Sequence, residues 1–265
     1  MPNISRAMQI DNLYSAAATM RPCLDLETIA NARDLGGLTG HAGRRIRQNK
    51  LYRSANPALG CAADLDKLHA LQLDIVVDFR SSGEKSPGEQ AFGERFAWLA
   101  VPVLDGAMSM DVLLPRLRAS NAAQMHGFML DVYRDFPVRY RDAFRTFLRH
   151  AEAGKTLYYH CTAGKDRTGF ASLLLLGALG VSQDDIVANY LESNHWNQRF
   201  NEKMLAGVAQ IGVTAEAMLP LLEVRPEYIE ASMDAITATY GGLERFLSDD
   251  LGVDTALLRA HYLAP

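Results

Sequence analysis

The spacing of apolar residues changes along this 265-residue chain. Compact apolar runs at residues 73–79, 96–103 and 155–160 have the length and composition of buried strands, whereas the apolar positions of residues 61–72 recur at helical spacing. From residue 169 onward the helical spacing dominates. Strands in the first part and helices in the second predict an α/β fold, with a central parallel or mixed sheet flanked by helices and a largely helical C-terminal third.

Capping residues and helix breakers divide the helical positions into separate elements. Pro137 is expected to separate two helices, Gly154 to end the second of them, and Ser182 to begin a later one. The predicted helices cover residues 121–134, 138–152, 169–179, 182–200, 202–211, 214–223, 226–240, 243–250 and 254 onward. Residues 104–120 are predicted to form a loop, and residues 1–22 are patterned weakly enough to fit either a helix or an arm.

Composition and charge limit the classes of function that the chain can have. With 48% apolar and 22% charged residues, the chain is typical of a globular protein, and its length fits one domain over residues 1–265. A formal charge of −4 gives no reason to expect a nucleic-acid partner. The three cysteines (Cys23, Cys61 and Cys161) are too few for a disulfide scaffold and suit a reducing compartment.

The N-terminal residues show no basic start followed by an apolar run, which is the pattern of a secretory signal. The longest apolar run, residues 170–181, is too short to cross a bilayer. We therefore expect no transmembrane segment and a cytoplasmic location.

The stretch from His160 to Gly169 carries the most specific chemistry in the chain. It places Cys161 and Arg167 six positions apart, at the two ends of a short loop that contains Gly164. A buried strand precedes this loop and a buried helix follows it, and that geometry points backbone N–H groups at an anion. Such a loop favours the thiolate form of a cysteine, and an arginine fork matches two oxygens of a phosphate.

These parts predict a phosphoryl-transfer site that needs no metal and no cofactor. Cys161 is expected to attack phosphorus, while Arg167 and the loop hold the phosphate oxygens. Thr168 can donate a hydrogen bond to the sulfur, and His160 is expected to order the loop rather than act as a base. The predicted phosphate-binding residues are Thr162, Ala163, Gly164, Lys165, Asp166 and Arg167.

The pattern His-Cys-x-x-Gly-x-x-Arg-Thr resembles the signature of the cysteine-dependent tyrosine phosphatases. The full loop, with Ala-Gly-Lys-Asp-Arg-Thr-Gly, is similar to a bacterial branch of that family that includes mycobacterial tyrosine phosphatase B and its Listeria relatives. The resemblance runs from about residue 25 to the C-terminus. The other matching stretches are residues 31–37, 51–55, 77–81, 190–194, 227–228 and 239–242.

The resemblance implies a protein tyrosine phosphatase whose substrate range extends to phosphoserine, phosphothreonine and phosphoinositides. It also implies that two helices, at about residues 200–235 here, cover the site as a lid. Some relatives are exported without a cleavable signal, so export of that kind is the alternative to a cytoplasmic location. Lys165 fits a broad substrate range as a second cation beside the phosphate; its alternative is an ion pair with Asp166.

A departing alkoxide or phenolate needs a proton, and an aspartic acid usually supplies it. The Trp-Pro-Asp sequence of the eukaryotic enzymes is absent. Asp78 is the first candidate because it ends the strand at 73–79 and matches the family's Asp-Leu-Arg-Ser stretch, although Phe79 replaces the usual leucine. Asp166 is the second candidate; Asp105 and Asp111 are outside candidates.

Several supporting residues have a structural alternative. Asp78 can cap its strand or pair with Arg80, which can also pair with Glu84. Asp34 can help orient the loop, but a role in the turn at Gly36 and Gly37, with Arg33 in an internal ion pair, is favoured. The same structural interpretation is favoured for Arg53 and Ser54. The arginines at 134, 139, 141 and 145 form a basic face that suits an anionic partner or, more simply, water.

Three functions are compatible with the sequence. The first is a protein tyrosine phosphatase acting through a cysteinyl-phosphate on phosphorylated proteins. The second is a phosphatase acting mainly on phosphoinositides. The third is a phosphate-binding module without turnover, against which the intact Cys161, Arg167 and Thr168 argue.

Overall fold

The computed structural model describes residues 24–58, 60–104, 106 and 110–265, without the side chain of Met110. The predicted N-terminal helix or arm, Cys23 and Asp105 lie outside the described residues.

Five strands form one mixed sheet in the order β1-β2-β5-β3-β4. They are β1 (Arg33–Asp34), β2 (Leu51–Ser54), β3 (Ile75–Asp78), β4 (Trp98–Ala100) and β5 (Leu157–His160). Only the β1–β2 pair is antiparallel. In the parallel part, Ser54 and Asp78 both lie opposite His160, so three strands end at the same edge of the sheet. Ligands of open α/β sheets bind at this edge.

Helices cover both faces of the sheet and make up most of the second half of the chain, which confirms the predicted fold class. They are α1 (Ala62–Ala70), α2 (Gln90–Arg95), α3 (Met110–Ala119), α4 (Ala122–Arg139), α5 (Arg141–Glu152), α6 (Asp166–Ala178), α7 (Gln183–Trp196), α8 (Gln198–Val208), α9 (Ala215–Leu222), α10 (Pro226–Tyr240), α11 (Leu243–Arg245) with a π-helical turn at Phe246–Asp250, and α12 (Thr255–Tyr262). Among the described residues, no helix is long and apolar enough to span a membrane.

The central strand β5 buries both of its faces because helices lie on each side of the sheet. Tyr158 joins a smaller apolar cluster with Val76 and Leu68. Its neighbours Leu157 and Tyr159 point the other way, into the main core. Alternation with a period of two residues therefore separates two apolar layers.

Residues 104–120, predicted as loop, contain helix α3, so that prediction was wrong. Pro115 inside the helix removes one backbone donor and hides the helical pattern. Leu113 and Leu117, four residues apart, are both buried, and this tertiary packing stabilises the helix despite the proline.

Pro137 does not separate two helices as predicted, because α4 continues through it to Arg139. A proline at 137 leaves the carbonyl of Tyr133 without its helical donor. The hydroxyl of Ser232 on α10 donates to that carbonyl at 2.6 Å. A contact distant in sequence therefore compensates the missing bond, and the break occurs at Tyr140 instead.

Phe79 lies directly after β3, where the resembled family carries leucine, and its ring is fully buried. It packs against the rings of Phe144, Phe147 and Tyr159 at centroid distances of 5.6, 5.5 and 6.4 Å. The ring thus joins the end of β3 to helix α5 and to β5.

We expect Phe79→Ala to lower the free energy of unfolding by about 3–5 kcal/mol, because it leaves a cavity between rigid neighbours. Phe79→Leu should cost on the order of 1 kcal/mol, since most of the volume is kept. Urea denaturation measures both. Phe200→Ala makes the same chemical change on the exposed face of α8 and serves as the control; a Phe79→Ala loss no larger than the control's would contradict this packing.

Candidate functional site

The loop that joins β5 to α6 lies at the edge where the parallel strands end. Cys161 follows the last residue of β5 and is 2% exposed, and α6 begins at Asp166. Gly164 turns the chain with φ = +65°, a conformation that side chains disfavour. A Cβ atom there would lie 2.2 Å from the carbonyl oxygen of Ser54, so only glycine fits between the loop and β2.

Side-chain amides and a guanidinium hold the loop carbonyls from behind. The Nδ2 of Asn31 donates to the carbonyls of Ala163 and Gly164 at 3.0 and 2.9 Å. Asn197 donates to the Ala163 carbonyl at 3.0 Å, and the Nη2 of Arg53 donates to the Gly164 carbonyl at 2.8 Å. All three donor residues are buried. These bonds fix the orientation of two successive peptide groups.

The N–H groups of the same peptides point the opposite way, because the N–H and C=O of a trans peptide are antiparallel. Within the described part of the chain, the amides of residues 162–165 donate to no other group. They adjoin the N-terminus of α6, whose first-turn amides also lack helical partners. The loop therefore presents amide donors without a partner among the described residues, beside a helix N-terminus, and such donors favour an anion.

Arg167, in the first turn of α6, lies beside this set of donors. Its Nη1 and Nη2 each donate to Glu84 at 2.7 Å, and Nη1 also approaches the carbonyls of Phe79 and Val103 at 3.3 and 3.4 Å. Burial opposes the charge of Arg167, but the bonds to Glu84 and the nearby Cys161 sulfur raise its pKa. Cys161 and Arg167 thus lie within electrostatic range of each other, and none of these bonds uses the arginine Nε.

Glu84 is a site residue that the sequence interpretation missed as a partner of Arg167. Burial would raise its pKa, but the bonds from Arg167 and then Thr162 lower it to about 2, so the carboxylate is charged at neutral pH. The 2.6 Å bond from the Thr162 hydroxyl and the 3.1 Å bond from the Ser81 amide fix its position. The Ser-x-x-Glu spacing of a capping box at Ser81 was the available signal.

Asp78 is fully buried at the end of β3, and the guanidinium of Arg80 donates to both of its carboxylate oxygens, at 3.0 and 2.9 Å. Burial alone would raise the Asp78 pKa, but the positive charge of a protonated His160 and the Arg80 guanidinium outweigh it and lower the pKa. Arg80 also binds Glu89 at 2.6 Å, and Lys85 lies 3.3 Å from Asp78. Of the two predicted partners of Arg80, the structure gives it the side chain of Asp78 rather than that of Glu84.

His160 is fully buried, and its Nδ1 lies 3.1 Å from the carbonyl of Cys161. Burial lowers its pKa to about 4, against the opposing charge of Asp78. The ring is therefore neutral near pH 7, and Arg80 is the lasting counter-charge of Asp78. A neutral ring bonded to the loop backbone agrees with an ordering role.

Asp166 lies where the loop becomes helix α6, and three bonds hold its carboxylate. Lys165 donates to both oxygens at 2.8 and 2.7 Å, and the hydroxyl of Tyr133 donates to Oδ1 at 2.8 Å. The side chain keeps 11% of its surface exposed. For Lys165, the structure shows the ion pair with Asp166 that the sequence left as an alternative.

The favoured structural interpretation of Asp34 agrees with its contacts. Its two oxygens accept from the amides of Gly36 and Asn49 at 2.8 and 2.7 Å, which fixes the turn after β1. Arg33 forms the expected internal ion pair, with Glu192 at 3.3 Å. Arg53 differs from the expectation, because its guanidinium reaches the loop itself.

The remaining candidates take separate positions. Thr168 is fully buried, and its hydroxyl has no hydrogen-bond partner among the described residues. Asp111 is exposed on α3. No group of three or more His, Cys, Asp or Glu side chains suited to a metal occurs in the described ranges. The predicted basic face is neutralised, because each arginine pairs with a carboxylate: Asp131, Asp135, Asp250 and Asp142.

Comparison with known proteins adds an independent finding. A family model described as the tyrosine phosphatase family matches residues 24–264. A protein of Cupriavidus necator that carries a provisional tyrosine-protein phosphatase name is 64% identical over 251 residues, covering 94% of this chain and 92% of that protein. The triple specificity protein phosphatase PtpB of Mycobacterium tuberculosis is 30% identical over 239 residues, covering 77% of this chain and 86% of PtpB.

Among solved structures, P. aeruginosa TpbA aligns over 82% of this chain and 88% of its own, with 18% identity and a TM-score of 0.28.

We expect the stability of the protein to fall as the pH drops from 6.5 to 4.5. Over this range the unfolded chain protonates His160, whose ordinary pKa is 6.5, while the folded protein, with a pKa of about 4, does not. The unfolded state then binds more protons, so the free energy of unfolding decreases by about 2–3 kcal/mol. Glu84 adds a small loss near the lower end of this range and most of its loss below it, as the pH falls toward 2.

Denaturation at several pH values, for wild type and His160→Gln, measures this effect. The variant should show a flatter dependence, with a residual slope from His150, whose pKa burial and Lys155 also lower. Equal slopes for the two proteins would contradict a neutral, buried His160.

Proposed function

Since the chain belongs to the tyrosine phosphatase family and is a protein-tyrosine phosphatase, we propose that it hydrolyses phosphomonoesters through a cysteinyl-phosphate formed on Cys161. The observation that carries this proposal is the loop, whose carbonyls are tied back by Asn31, Arg53 and Asn197. That restraint leaves the amides of Gly164 and Lys165 facing the opposite side, in the loop that also carries the cysteine and leads to the arginine.

In the first step, the sulfur of Cys161 attacks phosphorus as the bond between phosphorus and the leaving oxygen breaks. The developing negative charge lies on the equatorial oxygens, which the amides of residues 162–166 and the Arg167 guanidinium stabilise. Glu84 holds Arg167 through both terminal nitrogens, so the guanidinium is positioned before substrate arrives. The Thr168 hydroxyl, which has no partner among the described residues, is available to the sulfur.

Asp166 is the preferred proton donor to the leaving oxygen. It adjoins Arg167, its side chain is 11% exposed, and among the described residues its Oδ2 accepts only from Lys165. Asp78 is less suited, because it is fully buried, held by Arg80 on both oxygens, and its pKa is lowered.

In the second step, a water molecule attacks phosphorus and the sulfur–phosphorus bond breaks, which returns Cys161 to its thiolate and releases inorganic phosphate. The Asp166 carboxylate left by the first step accepts the proton of the attacking water. The carboxyl therefore ends the cycle in its starting form.

Phosphotyrosine on protein is the proposed main substrate. A broader range, including phosphoserine, phosphothreonine and phosphoinositides, is the second candidate, because the related PtpB is named a triple specificity phosphatase. Lys165 is paired with Asp166 in this structure. It supports a broader substrate range only if its ammonium group leaves Asp166 and contacts the substrate phosphate. The range therefore depends on whether that ion pair opens.

The domain organisation we propose is one phosphatase unit in which the helices at about residues 200–235, with α8 and α9 first among them, act as a cover of the site. Asn197, between α7 and α8, contacts the loop through the Ala163 carbonyl. After α9, the chain returns to α7 at Val224. The side chain of Asn194 on α7 donates to the Val224 carbonyl and accepts from the Val224 amide, both at 2.8 Å. These contacts support a hairpin of helices hinged beside the site.

The purified protein should release phosphate from p-nitrophenyl phosphate in excess EDTA, because the proposed chemistry uses no metal. Cys161→Ser should lose nearly all of this activity, since a hydroxyl is a far weaker nucleophile than a thiolate. Cys61→Ser is the matched control and should retain activity. Equal release by wild type and Cys161→Ser, or no release by wild type, would reject the proposal.

The acid assignment predicts that Asp166→Asn lowers kcat by about 10²–10⁴ on phenyl phosphate, whose leaving group is poor, and much less on p-nitrophenyl phosphate. Asp78→Asn should affect both substrates equally, because Asp78 acts on the site through its contacts with Arg80, Lys85 and His160 and not on the leaving oxygen. Steady-state kinetics on the two substrates measures this difference. If Asp78→Asn shows the selective loss and Asp166→Asn does not, the acid is Asp78.

A further inference from the structure

Two buried tyrosine hydroxyls form a chain that ends on Asp166. Tyr133 on α4 donates to Oδ1 of Asp166 at 2.8 Å, and the hydroxyl of Tyr190 on α7 lies 2.7 Å from that of Tyr133. Both tyrosines are at most 1% exposed. Neither belongs to the loop, so helices distant in sequence bring them to the carboxylate.

The hydroxyls of Tyr133 and Tyr190 do not serve only to fill space in the core. The ring of Tyr133 packs against Phe136 and Tyr228 at 5.1 and 5.5 Å, contacts that a phenylalanine would also make. A hydroxyl buried this deeply costs free energy unless it is bonded, and here its partner is a carboxylate at the site. The polar atoms therefore stabilise the position of Asp166 rather than the core alone.

The chain makes the two oxygens of Asp166 unequal. Within the described part of the chain, Oδ1 accepts from Tyr133 and from Lys165, whereas Oδ2 accepts from Lys165 alone. If substrate phosphate draws Lys165 away, Oδ1 remains occupied and Oδ2 becomes available. A carboxyl group fixed at one oxygen can direct the proton on the other.

We propose that Tyr133, backed by Tyr190, is a positioning residue that holds Oδ1 of Asp166 so that Oδ2 carries the proton to the leaving oxygen. This inference rests on the proposed role of Asp166 as the acid. Tyr133 acts through Asp166 and need not contact the substrate.

The charges around Asp166 agree with this role. Lys165 and Arg167 adjoin it in the chain, Tyr133 and Tyr190 approach from α4 and α7, and the nearby hydroxyl of Tyr228 belongs to α10. Burial and then the negative charge of Asp166 raise the pKa values of Tyr133 and Tyr190 well above the ordinary value. Both hydroxyls therefore stay protonated at neutral pH as donors and do not compete for the catalytic proton.

The experiment compares Tyr133→Phe with wild type on phenyl phosphate and p-nitrophenyl phosphate. We expect kcat to fall about tenfold on phenyl phosphate, a part of the full effect of a general acid, and less than about twofold on p-nitrophenyl phosphate. KM should stay unchanged for both, because the phosphate contacts are intact. Tyr190→Phe should give a smaller loss with the same selectivity.

Tyr159→Phe is the matched control. Its hydroxyl is also buried and bonds to Ser172 Oγ at 2.9 Å, away from Asp166. Removing it should produce no dependence on the leaving group. If Tyr133→Phe lowers kcat equally on both substrates, as a general loss of stability would, the inference is overturned.

A double-mutant cycle separates this inference from the function on which it rests. In an Asp166→Asn background, Tyr133→Phe should add no further selective loss on phenyl phosphate, whereas an additional loss would show that Tyr133 acts independently of Asp166. If Asp166→Asn alone is not selective, the acid role itself fails. If it is selective and Tyr133→Phe is not, only the positioning role fails.

Discussion

The chemistry of this protein depends on the fixed orientation of two peptide groups. Buried side chains hold the carbonyls of Ala163 and Gly164 from behind, and the amides of the same peptides face the opposite side. A short loop rich in small residues would otherwise sample many conformations. Donors fixed before the anion arrives need no reorganisation when charge develops, which is the main advantage of a preorganised site.

Buried charge is the second constraint. Arg33, Arg53 and Arg80 rank among the largest fully buried side chains of the described residues. Each has an oxygen partner: Glu192 for Arg33, the Gly164 carbonyl for Arg53, and Asp78 with Glu89 for Arg80. Removing one partner of a buried ion pair costs several kcal/mol, because the other charge is left buried and unpaired. These paired arginines stabilise the edge of the sheet at which the loop lies. Positive charge can therefore be concentrated near the loop although the net charge of the chain is −4.

Helix α7 connects the helical C-terminal third to the loop and to the residues around it. Asn197 follows the last residue of α7 and donates to the Ala163 carbonyl, and Tyr190 on α7 contacts Tyr133. Glycine at 169 lets α7 approach, because a Cβ there would lie 2.8 Å from the Tyr190 ring. A movement of α7 would thus reach both the peptide groups that bind anions and the carboxylate beside them.

The sequence by itself determined the elements that depend on local pattern. The strands at 73–79 and 155–160, the helix after Arg167 and the turn at Gly164 follow from periodicity and backbone preference, which neighbouring residues set. Helix α3 and the continuation of α4 through Pro137 could not be predicted from local pattern. The burial of Leu113 and Leu117 stabilises α3, and the bond from Ser232 stabilises α4 at Pro137, and both depend on contacts distant in sequence.

The same division holds for the site. Cys161, Gly164 and Arg167 are recognisable because the loop is continuous in the chain, and their spacing is the signal. The pairing of Arg167 with Glu84, of Arg53 with the Gly164 carbonyl, and of Tyr133 with Asp166 joins residues 33 to 111 positions apart. Only the tertiary structure decides such contacts, because the free energy that forms them comes from burying whole helices and strands, and no local pattern specifies which side chains then meet.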